Sequence, residues 1–151
     1  MIEGVQIKQL KRNADERGFL MELIRSTDEF FTKFGQCYVS LNYPGVVRAW
    51  HYHKKQEDYF VVVQGMCKVG LYDMREGSPT KGVAEAHYLG DNNNIVLRIP
   101  IGVAHGYKTV GTQPSLLINF PTEVYTAAEP DEFRIAWDDP SIPLNWEIEY
   151  K

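Results

Sequence analysis

Cysteine is scarce in this chain. Cys37 and Cys67 are the two present in 151 residues, and each sits in a strand-like run without metal-ligand spacing or the density of a disulfide scaffold. They read as reduced core thiols. Long apolar runs are also missing: nothing approaches the roughly 20 residues that cross a bilayer. The opening MIEGVQIKQLKRNADERG lacks the uninterrupted apolar stretch of a secretory signal. A cytoplasmic protein without membrane association is expected. Basic excess is absent too, with 16 Lys and Arg against 20 Asp and Glu and a net charge of −4. That balance excludes the broad positive footprint of a nucleic-acid binder, so an anionic ligand must be gripped by a few placed cations. Fixed-period repeats, low-complexity tracts and linkers are likewise missing. Residues 1–151 therefore read as a single domain, and 44% apolar residues suffice for one core.

What is present is a succession of short segments rich in Val, Ile, Tyr and Phe, bounded by Gly, Pro, Asn and Asp. Phe19–Ile24, Cys37–Leu41, Val46–His53, Tyr59–Val63, Cys67–Tyr72, Ala84–Leu89, Ile95–Ile99, Gly106–Val110 and Leu116–Phe120 are expected as strands. So many strands imply an all-β sandwich or barrel. One short helix is expected near residues 27–34, where Ser26 precedes Glu29 at capping-box spacing and Phe30, Phe31 and Phe34 follow.

Histidine is sparse but concentrated. Of four histidines, His51 and His53 stand two apart in a strand-like run, and side chains at i and i+2 of a strand leave from the same face. Such a pair alone is ordinarily polar surface. Here Gly45 precedes His51 by five intervening residues, Asp58 follows His53 after four, and Gly65 follows Asp58 after six. This spacing resembles the first cupin motif, with Asp58 where Glu is usual. Pro100-Ile101-Gly102-Val103-Ala104-His105 resembles the second, in which a Pro-x-Gly turn delivers a third histidine to the same cavity. His51, His53, Asp58 and His105 together make a set that could hold Fe, Mn, Ni or Zn, since imidazole and carboxylate suit all four. Spacing does not choose among these ions, and no cofactor is certain.

A closer resemblance runs over nearly the whole chain. Asp15-Glu16-Arg17-Gly18-Phe19 with Glu22, Gln36, Gly45-Val46-Val47-Arg48 followed by His51, Asp73 to Thr80, Pro100 to Gly106, and Trp137-Asp138-Asp139-Pro140 with Trp146 occur in order. In this they are similar to the dTDP-4-dehydrorhamnose 3,5-epimerase family, whose members are metal-free cupins. The resemblance implies a cupin jelly-roll barrel, a homodimer joined through its N-terminal strands, and a nucleotide-linked 4-keto-6-deoxy sugar of surface-carbohydrate biosynthesis as substrate. It implies that Arg17, Glu22, Gln36 and Arg48 hold the nucleotide and its diphosphate, with Asn119 and Tyr125 also facing the substrate. Arginine's planar fork suits paired phosphate oxygens. His51 matches the family's base, and His105 would orient the sugar. A C4 ketone acidifies the C3 and C5 protons, so removing one gives an enolate, and return of a proton to the opposite face inverts that carbon. Histidine's ordinary pKa suits it to that work.

Three departures qualify this reading. Asp58 stands where the family carries a lysine beside the enolate, and a lone carboxylate there has the wrong sign. Asn119 stands where the family carries its proton-donor tyrosine, and an amide is no comparable acid. The aspartate that pairs with the family's base lies beyond the segment matched by Trp146, so that dyad is expected to be missing. Inversion at one carbon, or a 3,4-ketoisomerisation, is accordingly expected in preference to double inversion. A metal-dependent cupin enzyme of other chemistry and a non-catalytic nucleotide-sugar binding protein are the alternatives.

Overall fold

A computed structural model describes residues 1–149 of the chain. Strands β1 (Gln6–Gln9), β2 (Arg12–Asp15), β3 (Gly18–Met21) and β4 (Tyr38–Asn42) lead into β5 (Val47–Tyr52), β6 (Asp58–Gln64), β7 (Met66–Asp73) and β8 (Ala84–Gly90). The last four are β9 (Ile95–Ile99), β10 (Val103–Val110), β11 (Ser115–Asn119) and β12 (Phe133–Arg134). They form two five-stranded sheets, ordered β1-β9-β6-β11-β4 and β12-β5-β10-β7-β8, and a separate β2-β3 hairpin. Every pairing is antiparallel. The all-β expectation is borne out.

The core lies between the sheets, where Phe60, Val62, Leu97 and Leu117 of one meet Val69, Leu71, Val103 and Tyr107 of the other. The outer faces are covered as well. Leu10 and Phe30 lie over Tyr59, Val61 and Val96 on the back of the first sheet, and Ile142 and Trp146 lie over Trp50 and Ala104 on the back of the second. Burial on both faces explains why Tyr59 to Val62 reads as an unbroken apolar run rather than an alternation. Trp50 points away from His51, as strand alternation requires, and its ring centroid lies 4.9 Å from that of Trp146.

The helix expected near residues 27–34 does not form, and no α-helix occurs among the described residues. The competing contacts are tertiary. Asp28 spends its carboxylate on the Arg25 backbone N–H and on Lys8 Nζ, while the Tyr59 hydroxyl donates to the Phe30 carbonyl and accepts from the Thr32 N–H. These bonds pull Phe30 onto the buried cluster and hold the segment as successive turns. Of the two cysteines, Cys67 is buried as expected, but Cys37 is exposed, ahead of an edge strand.

Two glycines shape the strand that carries His105. Gly102 turns with φ +78, and its N–H donates to the His53 carbonyl at 2.8 Å, tying the turn to the other histidine's loop. Gly106 lies where the β10 register against β5 shifts, and a Cβ there would sit 2.2 Å from Ala49 Cβ. Gly106→Val should therefore destabilise the fold by about 3 kcal/mol, the upper end of overpacking costs, seen as a lowered urea midpoint. An unchanged midpoint would mean that the two strands are not so tightly apposed.

Candidate active site

Three elements deliver the site. β5 carries His51, and the chain reaches His53 one residue beyond its end. β10 carries His105, directly opposite His51 in the ladder. Asp58 opens β6 on the facing sheet. The imidazole centroids of His51 and His105 are 4.1 Å apart, and His53 lies 5.4 Å from His105. One ligand-type atom from each of His51, His53, Asp58 and His105 falls within 4.8 Å of the others. The four residues picked out from spacing therefore meet in space.

Asp58 is the hub, only 1% exposed. Its Oδ1 accepts from Gln56 Nε2 at 2.8 Å and from Asn119 Nδ2 at 2.9 Å. Its Oδ2 faces His53 Nε2 at 3.1 Å and His105 Nε2 at 2.9 Å. The other ring nitrogens are spoken for by backbone carbonyls: His105 Nδ1 lies 3.0 Å from the Val103 carbonyl, and His53 Nδ1 donates to that of Asp131. A carbonyl only accepts, so both rings carry a hydrogen on Nδ1. In a neutral ring the Nε2 lone pair then points inward. Close as they are, Asp58 Oδ2 and His105 Nε2 are buried without a hydrogen-bond partner of acceptable direction.

The charges follow from these contacts. Burial alone would raise the Asp58 pKa; the imidazoles at Oδ2, acting through an Nε2–H of a cationic ring rather than the inward lone pair of a neutral one, override it and hold the carboxyl well below the usual range. Burial likewise opposes protonation of His53, yet the facing carboxylate leaves its pKa raised. For His51, burial and the neighbouring His105 act together, and its pKa falls well below 6.5. His51 is thus neutral, and no hydrogen bond to its ring occurs among the described residues.

Two adjoining cavities open onto this cluster. The first, about 410 Å³, is lined by Gln36, Tyr38, His51, His53, Tyr125 and Glu132, among others. The second, about 390 Å³, takes in Arg48, Ser40, Tyr107, Trp137 and again Tyr38 and His51. Of the residues expected to hold substrate, Gln36, Arg48 and Tyr125 line these cavities. Asn119 does not; it is fully buried beneath them, bonded to Asp58, to the Tyr59 N–H at 3.1 Å and to the Tyr38 hydroxyl at 2.9 Å. Arg17 and Glu22 stand apart from the histidines in this chain, on and just after the β2-β3 hairpin, paired with Asp15 and Arg25. Asp131 went unnoticed in the sequence, yet its carboxylate caps the backbone N–H groups of Lys54, Lys55 and Gln56 at 2.8 to 3.1 Å and so sets the loop that carries His53. Tyr38 also went unnoticed, although strand alternation puts it on the same face as Ser40 and Asn42.

Similarity to known proteins agrees with this architecture. A spore coat polysaccharide biosynthesis protein, SpsL, of Bacillus subtilis (strain 168) is 46% identical over 151 residues, covering 100% of each chain. A dTDP sugar isomerase from Desulfovibrio desulfuricans G20 superposes with a TM-score of 0.90 at 34% identity, covering 96% of this chain and 92% of that one. The 3,5-epimerase from Legionella pneumophila, solved in complex with dTDP-4-keto-L-rhamnose, superposes with a TM-score of 0.85 at 28% identity over 99% of this chain and 81% of its own. The family profile described as dTDP-4-dehydrorhamnose 3,5-epimerase matches residues 1–151. With the jelly-roll sheets, the histidine opposite the Pro-x-Gly turn and the arginine on its strand all in place, this chain belongs to the dTDP-4-dehydrorhamnose 3,5-epimerase family.

Proposed function

We propose that the protein is an epimerase that acts on a nucleotide-linked 4-keto-6-deoxy sugar in surface-carbohydrate biosynthesis, with His51 as the enolising base. One observation carries this reading. His51 is the histidine of the cluster whose ring has no hydrogen bond, lines both cavities and is held neutral by its surroundings. A neutral imidazole with a free nitrogen is ready to take a proton from carbon. Arg48, steadied by its Nε donating to Asn42 Oδ1 at 2.9 Å, leaves the rest of its guanidinium for an anionic oxygen. Gln36 and Tyr125 line the neighbouring cavity, where sugar or nucleotide hydroxyls would find partners.

The same reading includes a cytoplasmic homodimer. Its support is the β2-β3 hairpin, which exposes Phe19 and Leu20 and carries Arg17 away from this chain's own cavity, where a second copy would receive it. No helix among the described residues is long and apolar enough to cross a membrane.

A metal-assisted version of the chemistry is favoured by a separate observation: Asp58 Oδ2 and His105 Nε2 are buried side by side without a hydrogen-bond partner, and His53 Nε2, which Gln56 Nε2 approaches at 3.3 Å, lies next to them. The Nδ1 atoms tied to backbone carbonyls are the outer contacts that ligating histidines commonly make. The donor set fits a divalent transition ion, which His53, Asp58 and His105 would hold. When bound, such an ion supplies the positive charge for the enolate oxygen that the Asp58 position otherwise lacks.

Incubation with a dTDP-4-keto-6-deoxyhexose in heavy water should place deuterium at C3 or C5, and His51→Ala should slow this by about 10²–10⁴-fold, the usual worth of a general base. Absence of label with every such sugar would reject the epimerase. Because the His51 pKa is lowered, the base stays neutral and exchange should persist as pH falls through 6.5, declining only at lower pH; a limb centred at 6.5 or above would contradict this. Protein stripped with chelator should take up about one Co²⁺ per chain, read by visible absorbance, and Asp58→Asn should weaken uptake by about 10–100-fold or more, the range seen even for outer contacts. No stoichiometric uptake of Co²⁺, Fe²⁺, Mn²⁺, Ni²⁺ or Zn²⁺ would leave enolisation to the side chains alone.

A further inference from the structure

Inversion at carbon needs two groups. One removes the proton from one face of the sugar ring and a second returns a proton to the other. Asn119, which the resemblance sets at the place of the family's donor, is a buried amide and no acid, so the donor must lie elsewhere on the cavity wall, across from His51.

The sheet topology narrows the choice. His51 belongs to β5, so a donor for the opposite face must come from the sheet containing β4, β6 and β11 or from a loop. Tyr107 lines the second cavity but stands on β10, beside the base, and its hydroxyl donates to Ser40 Oγ at 2.8 Å. Tyr52 stacks on Phe133 with centroids 5.2 Å apart, and Tyr59 sends its hydroxyl to the Phe30 carbonyl behind the first sheet. Tyr125 lines only the first cavity, on an exposed segment after β11. Tyr38 differs from all of these. It stands on β4 of the facing sheet, and it shares with His51 the property of lining both cavities.

Its hydroxyl is also aimed. Tyr38 and Asn119 are directly opposite in the β4-β11 ladder, and Asn119 Nδ2 donates to the Tyr38 hydroxyl oxygen at 2.9 Å. Because the amide N–H donates, the phenol keeps its own proton free for the cavity. The Asn119 amide is fixed in turn by donating to Asp58 and by accepting the Tyr59 N–H.

We infer that Tyr38 is the catalytic acid of this enzyme, reached from the strand next to the one on which the family carries its tyrosine. The inference rests on the epimerase reading. In the forward step the C–H bond breaks, its proton passes to His51, and its electrons form the enolate C=C with negative charge on the C4 oxygen. In the second step the Tyr38 O–H breaks, its proton forms the new C–H bond on the opposite face, and the enolate electrons restore the C4 carbonyl. His51 then gives its proton to water and the Tyr38 phenolate takes one back, leaving the enzyme unchanged. The Asn119 N–H stabilises the phenolate while it lasts. Burial, followed by the nearby Asp58 charge, pushes the Tyr38 pKa up to about 12, so the acid waits in its protonated form.

The test uses the full chain with a dTDP-4-keto-6-deoxyhexose in heavy water, following label and configuration separately by NMR. Wild type should give deuterated, inverted sugar. Tyr38→Phe should still incorporate deuterium through His51, but with retained configuration, and inverted product should fall by about 10²–10⁴-fold. Tyr88→Phe, a similar loss of one hydroxyl on the far edge strand β8, should behave as wild type. Because Tyr38→Phe removes one oxygen, its melting temperature should stay near that of wild type; if it does not fold, fluorotyrosine at position 38 should shift the alkaline limb of inversion downward. Inversion by Tyr38→Phe at the wild-type rate, or an alkaline limb unmoved by fluorotyrosine, would overturn the assignment. Absence of exchange in wild type would overturn the epimerase reading itself, whereas exchange in wild type with equal loss of exchange and inversion in Tyr38→Phe would overturn only the role of Tyr38.

Discussion

The site depends on one buried carboxylate. Asp58 opens a strand in the first sheet, yet its Oδ2 reaches two imidazoles carried by the second sheet and the loop beyond it. A charge so enclosed survives only if its environment is organised around it. The organisation is visible in every direction: Gln56 and Asn119 at the other oxygen, Val103 and Asp131 carbonyls behind the imidazoles, and the Asp131 carboxylate bracing the loop. Fold and site are thus held by the same bonds. The Gly102 N–H on the His53 carbonyl ties the two histidine-bearing segments together at the rim.

This hub explains how the pocket departs from its family while keeping the fold. By the resemblance Asp58 stands where a lysine is usual and has the wrong sign for an enolate, but its Oδ1 accepts from Gln56 and Asn119, which offsets part of that charge. Asn119 gives up acid chemistry and acquires a structural role instead, joining Asp58 to Tyr38. His51 stays outside this network, its ring neutral and without a hydrogen bond. The departures at Asp58 and Asn119 are joined by a hydrogen bond and form one connected pair.

Much of this was legible beforehand, and the reasons differ by residue. His51 and His53 share a face by the period-two rule, and the Pro-x-Gly turn announced His105, so spacing alone brought these residues together with Asp58. Alternation also directed Trp50 away from His51. It could not reveal that His53 lies past the end of its strand and is held there by Asp131, some eighty residues away. Local signals at Ser26 to Phe34 favoured a helix, but Tyr59 and the buried Phe30 outbid them, a tertiary choice that local propensity does not contain. Tyr38 was hidden for a similar reason: an edge strand with apolar residues at Tyr38, Val39 and Leu41 gives no indication of which side faces the cavity.

His53 and His105 keep their hydrogens on Nδ1, against backbone carbonyls, and turn Nε2 toward Asp58. Long-range ¹⁵N–¹H NMR of protein labelled in histidine and stripped of metal reads the protonation of each ring nitrogen directly. A protonated Nδ1 is expected in both rings, with an uncharged ring at His51. A neutral ring bearing its hydrogen on Nε2 at either His53 or His105 would contradict it.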